Sequence, residues 1–143
     1  MPQTGSDLAN VMAAYAAAVL AKDPARLAAL YAPDVRVFDA WGVWSFEGAD
    51  DWTRNLQGWL GALGDEHVAV QFNDVRLAQQ NETGCLSAIV TYSAIDGDGR
   101  VLHAMQNRLS WFLTRIAGCW RIVHEHTSAP IDFDHQKAIL HRD

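Results

Sequence analysis

The sequence WRIVHEHTSAP, residues 120–130, decides the fold that we predict for this chain. Its β-branched and aromatic residues favour a strand, and Pro130 marks the point where strand pairing would stop. Because side chains alternate between the two faces of a strand, one face is expected to carry Trp120, Ile122, His124, His126 and Ser128. Such a strand would close a core at its apolar end and line a pocket with its histidines. Glu125, of opposite parity, is expected to face solvent or a partner.

The size and composition of the chain indicate one folded domain. The chain has 143 residues, half of them hydrophobic and six of them tryptophan, which is enough to bury a core. We assign the domain to residues 1–143, with residues 1–5 and 131–143 as loose or dimer-packing tails.

The charge and the cysteines narrow the classes of ligand. The net charge is −6 and basic residues form no stripe, so we expect no nucleic acid partner. Since no apolar run could span a bilayer and the start of the chain is not a secretory signal, we expect no membrane partner and a cytoplasmic location. Cys85 and Cys119 lack metal-ligand spacing and are interpreted as packing or turn residues. No cofactor is predicted.

The hydrophobic pattern places helices before strands. Apolar residues at helical spacing predict helices over 6–22, after Asp23-Pro24, and around Trp52 to Leu63. Alternating residues separated by turn signals predict strands over 35–39, 67–77, 85–95, 101–113 and 120–130. This order predicts an α+β domain, with three N-terminal helices on one face of a strongly curved, mixed or antiparallel sheet. The helices and the sheet would enclose a cone-shaped pocket.

The first third of the chain resembles a known family. The resemblance is to the opening helix pair and first strand of ketosteroid isomerases, and it covers residues 15–23, 30–34 and 37–39. Ketosteroid isomerases and SnoaL-like proteins both belong to the nuclear transport factor two-like superfamily. The resemblance implies that Tyr15 takes the place of the oxyanion-binding tyrosine and Asp39 that of the proton-shuttling aspartate. Those isomerases need a second acid, and residues 108–111 supply none, so 3-oxosteroid isomerase activity is not expected.

The last third resembles another branch of that superfamily more closely. The association domain of calcium/calmodulin-dependent protein kinase II is similar at Gln106, Trp120, residues 123–124, His126, Ser128 and Pro130. Phe38-Asp39 corresponds to a Phe-Glu pair in it. This resemblance implies assembly of subunits.

The first strand and first helix each supply one candidate catalytic residue. Asp39 would be a general base if the apolar wall, with Trp41 beside it, raises its pKa; otherwise it caps a turn or pairs with an arginine. Tyr15 would line the pocket, or it is a core tyrosine with a structural hydrogen bond.

The last two strands supply the other candidates. His124 and His126 could be an acid–base pair, metal ligands completed by Asp39, or a hydrogen-bonding pocket wall. We favour the wall and predict no metal. Trp120 would extend that wall. Another polar face carries Gln106, Arg108 and Ser110. If this face lines the pocket, these residues would bind ligand, and Arg108 would either neutralise Asp39 or bind an anion. Otherwise the face would contact solvent or a dimer partner. His103 and Glu125 are weaker candidates.

Two functional hypotheses follow. The first is a small-molecule enzyme of proton transfer, an isomerase, cyclase or dehydratase, with Asp39 as base and Tyr15 plus His124 or His126 holding the oxyanion. The alternative is a non-catalytic module that binds an anionic or apolar ligand and assembles into homodimers or larger homo-oligomers through its outer sheet face.

Overall fold

A computed structural model describes residues 4–142 of the chain. Within that range the helices are α1 Thr4–Leu20, α2 Pro24–Ala28 and α3 Ala49–Gly61. The strands of the main sheet are β1 Tyr31–Phe38, β2 Phe46–Glu47, β3 His67–Gln80, β4 Thr83–Ile95, β5 Val101–Ile116 and β6 Cys119–Ser128. A small hairpin follows, formed by β7 Ile131–Asp132 and β8 Lys137–Ala138. The sequence predicts a loose tail over residues 1–5. Residues 1–3 of it lie outside the described residues, and α1 begins at Thr4.

The sheet is mixed, and its strands follow the order β2-β1-β6-β5-β4-β3. β1 runs parallel to β6, whereas every other neighbouring pair is antiparallel. The α+β class predicted from the sequence is confirmed. Residues 120–128 form most of β6, which lies inside the sheet between β1 and β5.

Local sequence signals explain where two of the helices begin. Asp23 caps α2, because its carboxylate accepts a hydrogen bond from the Arg26 amide at 3.1 Å, and Pro24 follows at the first helical position. Gly48 precedes α3 with φ of 90°, a conformation that glycine adopts without strain. α1 packs on β3, and α3 packs on α2 and β1. Both long helices therefore cover the same face of the sheet.

A β-bulge in β6 changes which side chains face the helices. Leu113 of β5 pairs with Ile122, but the next pair is Phe112 with His124, so Val123 is one extra residue on β6. Ile122 is completely buried before the bulge, and Glu125 is 2% exposed after it. The strict alternation predicted along β6 is therefore wrong beyond Val123, because an extra residue moves every following side chain to the opposite face.

The C-terminal segment continues the hydrogen bonding of β5 where β6 stops. The last β5–β6 pair joins Arg108 and Ser128. Beyond it the Gln106 amide donates to the carbonyl oxygen of Leu140 at 2.7 Å, and the Arg142 amide donates to Gln106 Oε1 at 2.6 Å. Leu140 and Arg142 thus lie beside Gln106 of β5. Within the described range no helix is long and apolar enough to cross a membrane.

Candidate functional site

A cavity of about 400 Å³ lies between the helices and the inner face of the sheet. Five aromatic rings contribute to its wall: Tyr15, Trp41, Trp52, Trp59 and Tyr92. Its polar lining consists of Asp39, Asn55, Glu66, His103, Asn107 and Glu125. The remaining lining residues are Leu63, Val68, Ala94 and Met105. This size suits a small organic molecule, and the lining combines apolar surface with a few polar groups.

Asp39 lies at the cavity end of β1, on the same face as the buried Val35 and Val37. Its Oδ1 accepts a hydrogen bond from Thr127 Oγ1 at 3.1 Å, and its Oδ2 accepts one from the Trp41 amide at 3.3 Å. Burial raises the pKa of Asp39, while these hydrogen bonds and one from the Ala40 amide oppose the rise. Within residues 4–142 no arginine, lysine or histidine pairs with this carboxylate.

Glu125 is the second carboxyl group of the cavity and lies deeper in it. Tyr31 Oη donates a hydrogen bond to its Oε1 at 2.6 Å, and Trp111 Nε1 donates another to the same atom at 2.9 Å. Burial raises the pKa of Glu125 from 4.5 to about 7, and the negative charge of Asp39 adds to the rise. A carboxyl group held in this way carries a proton in a large fraction of molecules at neutral pH.

The floor of the cavity holds hydroxyl and amide groups in an apolar surrounding. The Tyr15 and Tyr92 hydroxyl oxygens are 3.1 Å apart and share a hydrogen bond. Burial raises the pKa of both phenols, so they stay neutral and can donate. Asn107 is 6% exposed, and its Oδ1 has no hydrogen-bond partner among the described residues. The floor can therefore hold a polar group of a ligand.

Three of the residues predicted as catalytic or ligand-binding lie in this cavity, namely Tyr15, Asp39 and Trp41, and so do the weaker candidates His103 and Glu125. The expectation that His124 and His126 line this cavity is wrong, because the bulge turns both to the outer face of the sheet. There His124 Nδ1 donates to the Arg36 carbonyl oxygen at 2.8 Å. His126 borders a second, outer pocket, which Asp39 also lines.

The polar face of β5 also lies outside the cavity. Gln106, Arg108 and Ser110 alternate with the buried Leu109 and Trp111 and point away from the helices. Arg108 Nε donates to Ser128 Oγ at 3.1 Å, so it neither neutralises Asp39 nor meets a ligand of the cavity. The expectation that these three residues bind ligand is corrected in favour of the solvent or dimer-facing alternative.

Trp120 packs in the core rather than lining the cavity. It is 5% exposed, and the guanidinium of Arg115 lies 4.8 Å from its ring centroid. Its predicted role in ligand binding is corrected accordingly. Within residues 4–142 no group of three or more histidine, cysteine, aspartate or glutamate residues could hold a metal ion.

Sequence reasoning missed several lining residues, and only some of them carried a usable signal. Asn107 alternates with Leu109 and Trp111, so the same parity that explains the core of β5 would have placed it inside. Tyr92 could have been found in the same way on β4. Glu125 carried no such signal, because its position depends on a bulge between two strands.

The family model described as a SnoaL-like domain matches residues 8–132. No protein of curated function matches the chain. Among solved structures, an NTF2-like protein of unknown function from Pseudomonas putida superposes with a TM-score of 0.84 at 22% identity, covering 96% of this chain and 94% of the other.

Two further structures extend the comparison. A protein from Xanthomonas campestris, described as a calcium/calmodulin-dependent protein kinase II association domain, gives a TM-score of 0.71 at 19% identity, covering 90% of this chain and 89% of the other. Aln2 from a Streptomyces species gives a TM-score of 0.76 at 14% identity, covering 90% of this chain and 93% of the other. The predicted resemblance to the nuclear transport factor two-like superfamily is thereby confirmed, and at these identities the structures support the fold alone.

Proposed function

The chain belongs to the SnoaL-like domain family, and we propose that its cavity binds a small organic molecule and moves a proton on it, with Asp39 as the general base. One observation carries this proposal. Three carboxyl groups line the aromatic cavity, at Asp39, Glu66 and Glu125, and burial raises the pKa of Asp39 and Glu125. Carboxyl groups with raised pKa values in a cavity are typical of general acid and base catalysis.

Asp39 is suited to take a proton from carbon. Its hydrogen bonds to Thr127 and Trp41 fix its direction but do not neutralise it, and partial burial makes it a stronger base than an exposed aspartate. In the proposed step Asp39 removes a proton from the carbon next to a carbonyl group. The C–H electrons form an enolate, and the protonated Asp39 returns the proton to the same or another carbon.

The floor of the cavity is suited to stabilise the enolate oxygen. One of the Tyr15 and Tyr92 hydroxyl groups donates to the other, so the pair keeps one hydroxyl proton for the enolate oxygen, in an apolar surrounding where such a donor acts most strongly. Glu125 adds a second donor in its protonated form, because Tyr31 and Trp111 both bind Oε1 and leave Oε2 for the proton. In this proposal Tyr15 keeps the role expected of it, and Tyr92 and Glu125 take the role expected of His124 or His126.

The proposal is tested without knowledge of the natural substrate, by following deuterium exchange into 2-tetralone in D₂O by NMR. This ketone has an acidic C–H beside its carbonyl group and fits the cavity. Asp39→Asn should slow the exchange by about 10²-fold or more, since this is the typical contribution of a general base. Asp98→Asn, in the exposed turn between β4 and β5, removes the same charge and should leave the rate unchanged.

Two outcomes of this experiment would count against catalysis. If the wild-type protein does not accelerate exchange over buffer, or if Asp39→Asn exchanges as fast as wild type while circular dichroism shows it folded, then Asp39 is not a base. Binding of the ketone without exchange would then support a non-catalytic binding module.

A second proposed function is self-assembly through the outer face of the sheet. Phe112 is 56% exposed there and stacks on His124, with ring centroids 6.0 Å apart, and Phe38 packs against the same histidine at 5.0 Å. An aromatic cluster on a sheet face is a suitable centre for a symmetric dimer. Light scattering at micromolar concentration tests this, with Phe112→Ser expected to shift a dimer to monomer. A monomeric wild-type protein would refute it.

A further inference from the structure

We propose that the ligand of this cavity carries a positively charged nitrogen on a flat apolar body. The inference rests on the proposed function, since it concerns the same cavity, and it names the class of molecule that the cavity takes. It replaces the expectation of an anionic ligand, which depended on Arg108 facing inward.

The charged residues of the lining are the first support. Asp39, Glu66 and Glu125 line the cavity, and of these Glu125 carries a proton in a large fraction of molecules. His103 is the one basic residue in the lining, which contains no lysine or arginine. The arginines in ion pairs within residues 4–142 bind carboxylates elsewhere, as Arg36 does with Glu47. A ligand carboxylate or phosphate would therefore meet like charge in a partly desolvated space, and a cation would meet opposite charge.

The aromatic walls are the second support. Five rings line a space of about 400 Å³, and Trp59 meets Tyr92 edge to face, with their ring centroids 6.3 Å apart. Trp41, at 54% exposure, stands at the solvent side of this wall. The face of an aromatic ring attracts a cation, tryptophan most strongly, and quaternary and alkylated ammonium groups are typical ligands of such walls.

The acidic lining and the aromatic walls point to the same class of ligand. The negative charge in the lining disfavours an anionic group, and this charge and the ring faces together favour a cationic nitrogen.

The experiment compares three probes that share a naphthalene body: 2-(2-naphthyl)ethylammonium, 2-acetylnaphthalene and 2-naphthylacetate. Their dissociation constants are measured by titration calorimetry with the full chain at pH 7.5 and low salt. The ammonium probe should bind about tenfold more tightly than the ketone, and the carboxylate about tenfold or more weakly than the ketone. A carboxylate that binds as tightly as the ammonium probe, or an ammonium probe no tighter than the ketone, overturns the proposal.

A pair of charge-matched variants separates the cavity from the overall negative charge of the protein. Glu66→Gln, in the lining, should reduce the preference for the ammonium probe over the ketone by about threefold and leave ketone binding unchanged. Asp98→Asn should preserve the preference. An equal loss in both variants would mean that net charge, and not this cavity, selects the cation, and would overturn the proposal.

The probe-binding experiment and the deuterium-exchange experiment test the ligand class and the proton transfer separately, so one proposal can fail while the other stands. Exchange of 2-tetralone without a preference for the ammonium probe would remove this inference and keep the proposed proton transfer. Ammonium-selective binding without exchange would remove the proton transfer and keep the ligand class.

Discussion

Replacing Glu125 with glutamine should make the protein more stable at pH 8 and hardly change it at pH 5. Glutamine keeps the shape of the side chain, and its carbonyl oxygen can still accept from Tyr31 and Trp111. The substitution removes the ionisable group alone. Its effect on unfolding therefore reports the cost of ionising a carboxyl group at this buried place.

The magnitude follows from the pKa of Glu125, which burial raises from 4.5 to about 7. The folded state holds the proton more tightly than the unfolded state, so this group is neutral in both states below about pH 4.5. As the pH rises from 4.5 to 7 the unfolded chain releases the proton first, and stability falls. Each pKa unit corresponds to about 1.4 kcal/mol. The total loss is then on the order of 3 kcal/mol and is complete above pH 7.

The assay is urea unfolding, followed by far-ultraviolet circular dichroism, at pH 5, 6, 7 and 8 for wild type and Glu125→Gln. The difference between the two free energies of unfolding cancels the titration of all other groups. It should grow by on the order of 3 kcal/mol from pH 5 to pH 8, in favour of the variant. Asp98→Asn is the control for removing an exposed charge and should show no such trend. A difference that stays flat across this range refutes the placement of Glu125 as a buried carboxyl group.

Three further predictions test the surroundings of the two carboxyl groups. Tyr31→Phe removes a hydrogen bond that lowers the pKa of Glu125, so the fall in stability with pH should extend to higher pH than in wild type, measured by the same urea series. Thr127→Val removes the hydrogen-bond donor to Asp39 and should slow 2-tetralone exchange on the order of tenfold. Thr127→Ser keeps a hydroxyl group and should restore most of the rate. Equal exchange rates in the two variants would exclude a positioning role for Thr127. His126→Ala should change the exchange rate less than twofold, because this side chain lies on the outer face, and a large loss of rate would contradict that placement.

The order of helices and strands could be predicted from the sequence because local signals determine it. Asp23-Pro24 marks a helix start, and the residues between 96 and 99 mark a hairpin, without reference to the rest of the chain. The same holds for Asp39, whose position after alternating Val35 and Val37 predicts the inner face. These predictions required only the period of a strand and the chemistry of a cap.

The second half of the site could not be predicted in that way, because it depends on the register between two strands. Along β6 a strict period of two assigns His124 inward and Glu125 outward, and the extra residue at Val123 reverses both. A bulge is set by how β5 and β6 pair, and residues 119–128 alone do not contain that information. Asn107 shows the opposite case, since its pairing with Val90 of β4 lies in a regular part of the ladder, and its parity with Trp111 would have been sufficient to place it.

The bulge has a chemical consequence that goes beyond the position of one glutamate. Without Val123 as an extra residue, the cavity would be lined by two imidazole groups from β6 in place of a carboxyl and a hydroxyl group. Imidazole groups can donate hydrogen bonds that a carboxylate cannot, and such a site would suit anions better. With the bulge, the Glu125 carboxyl group faces the cavity as that of Asp39 does. Thr127 supplies the hydroxyl group that orients the Asp39 carboxylate. One extra residue in one strand thus decides which ionisable side chains of β6 face the cavity and which face outward.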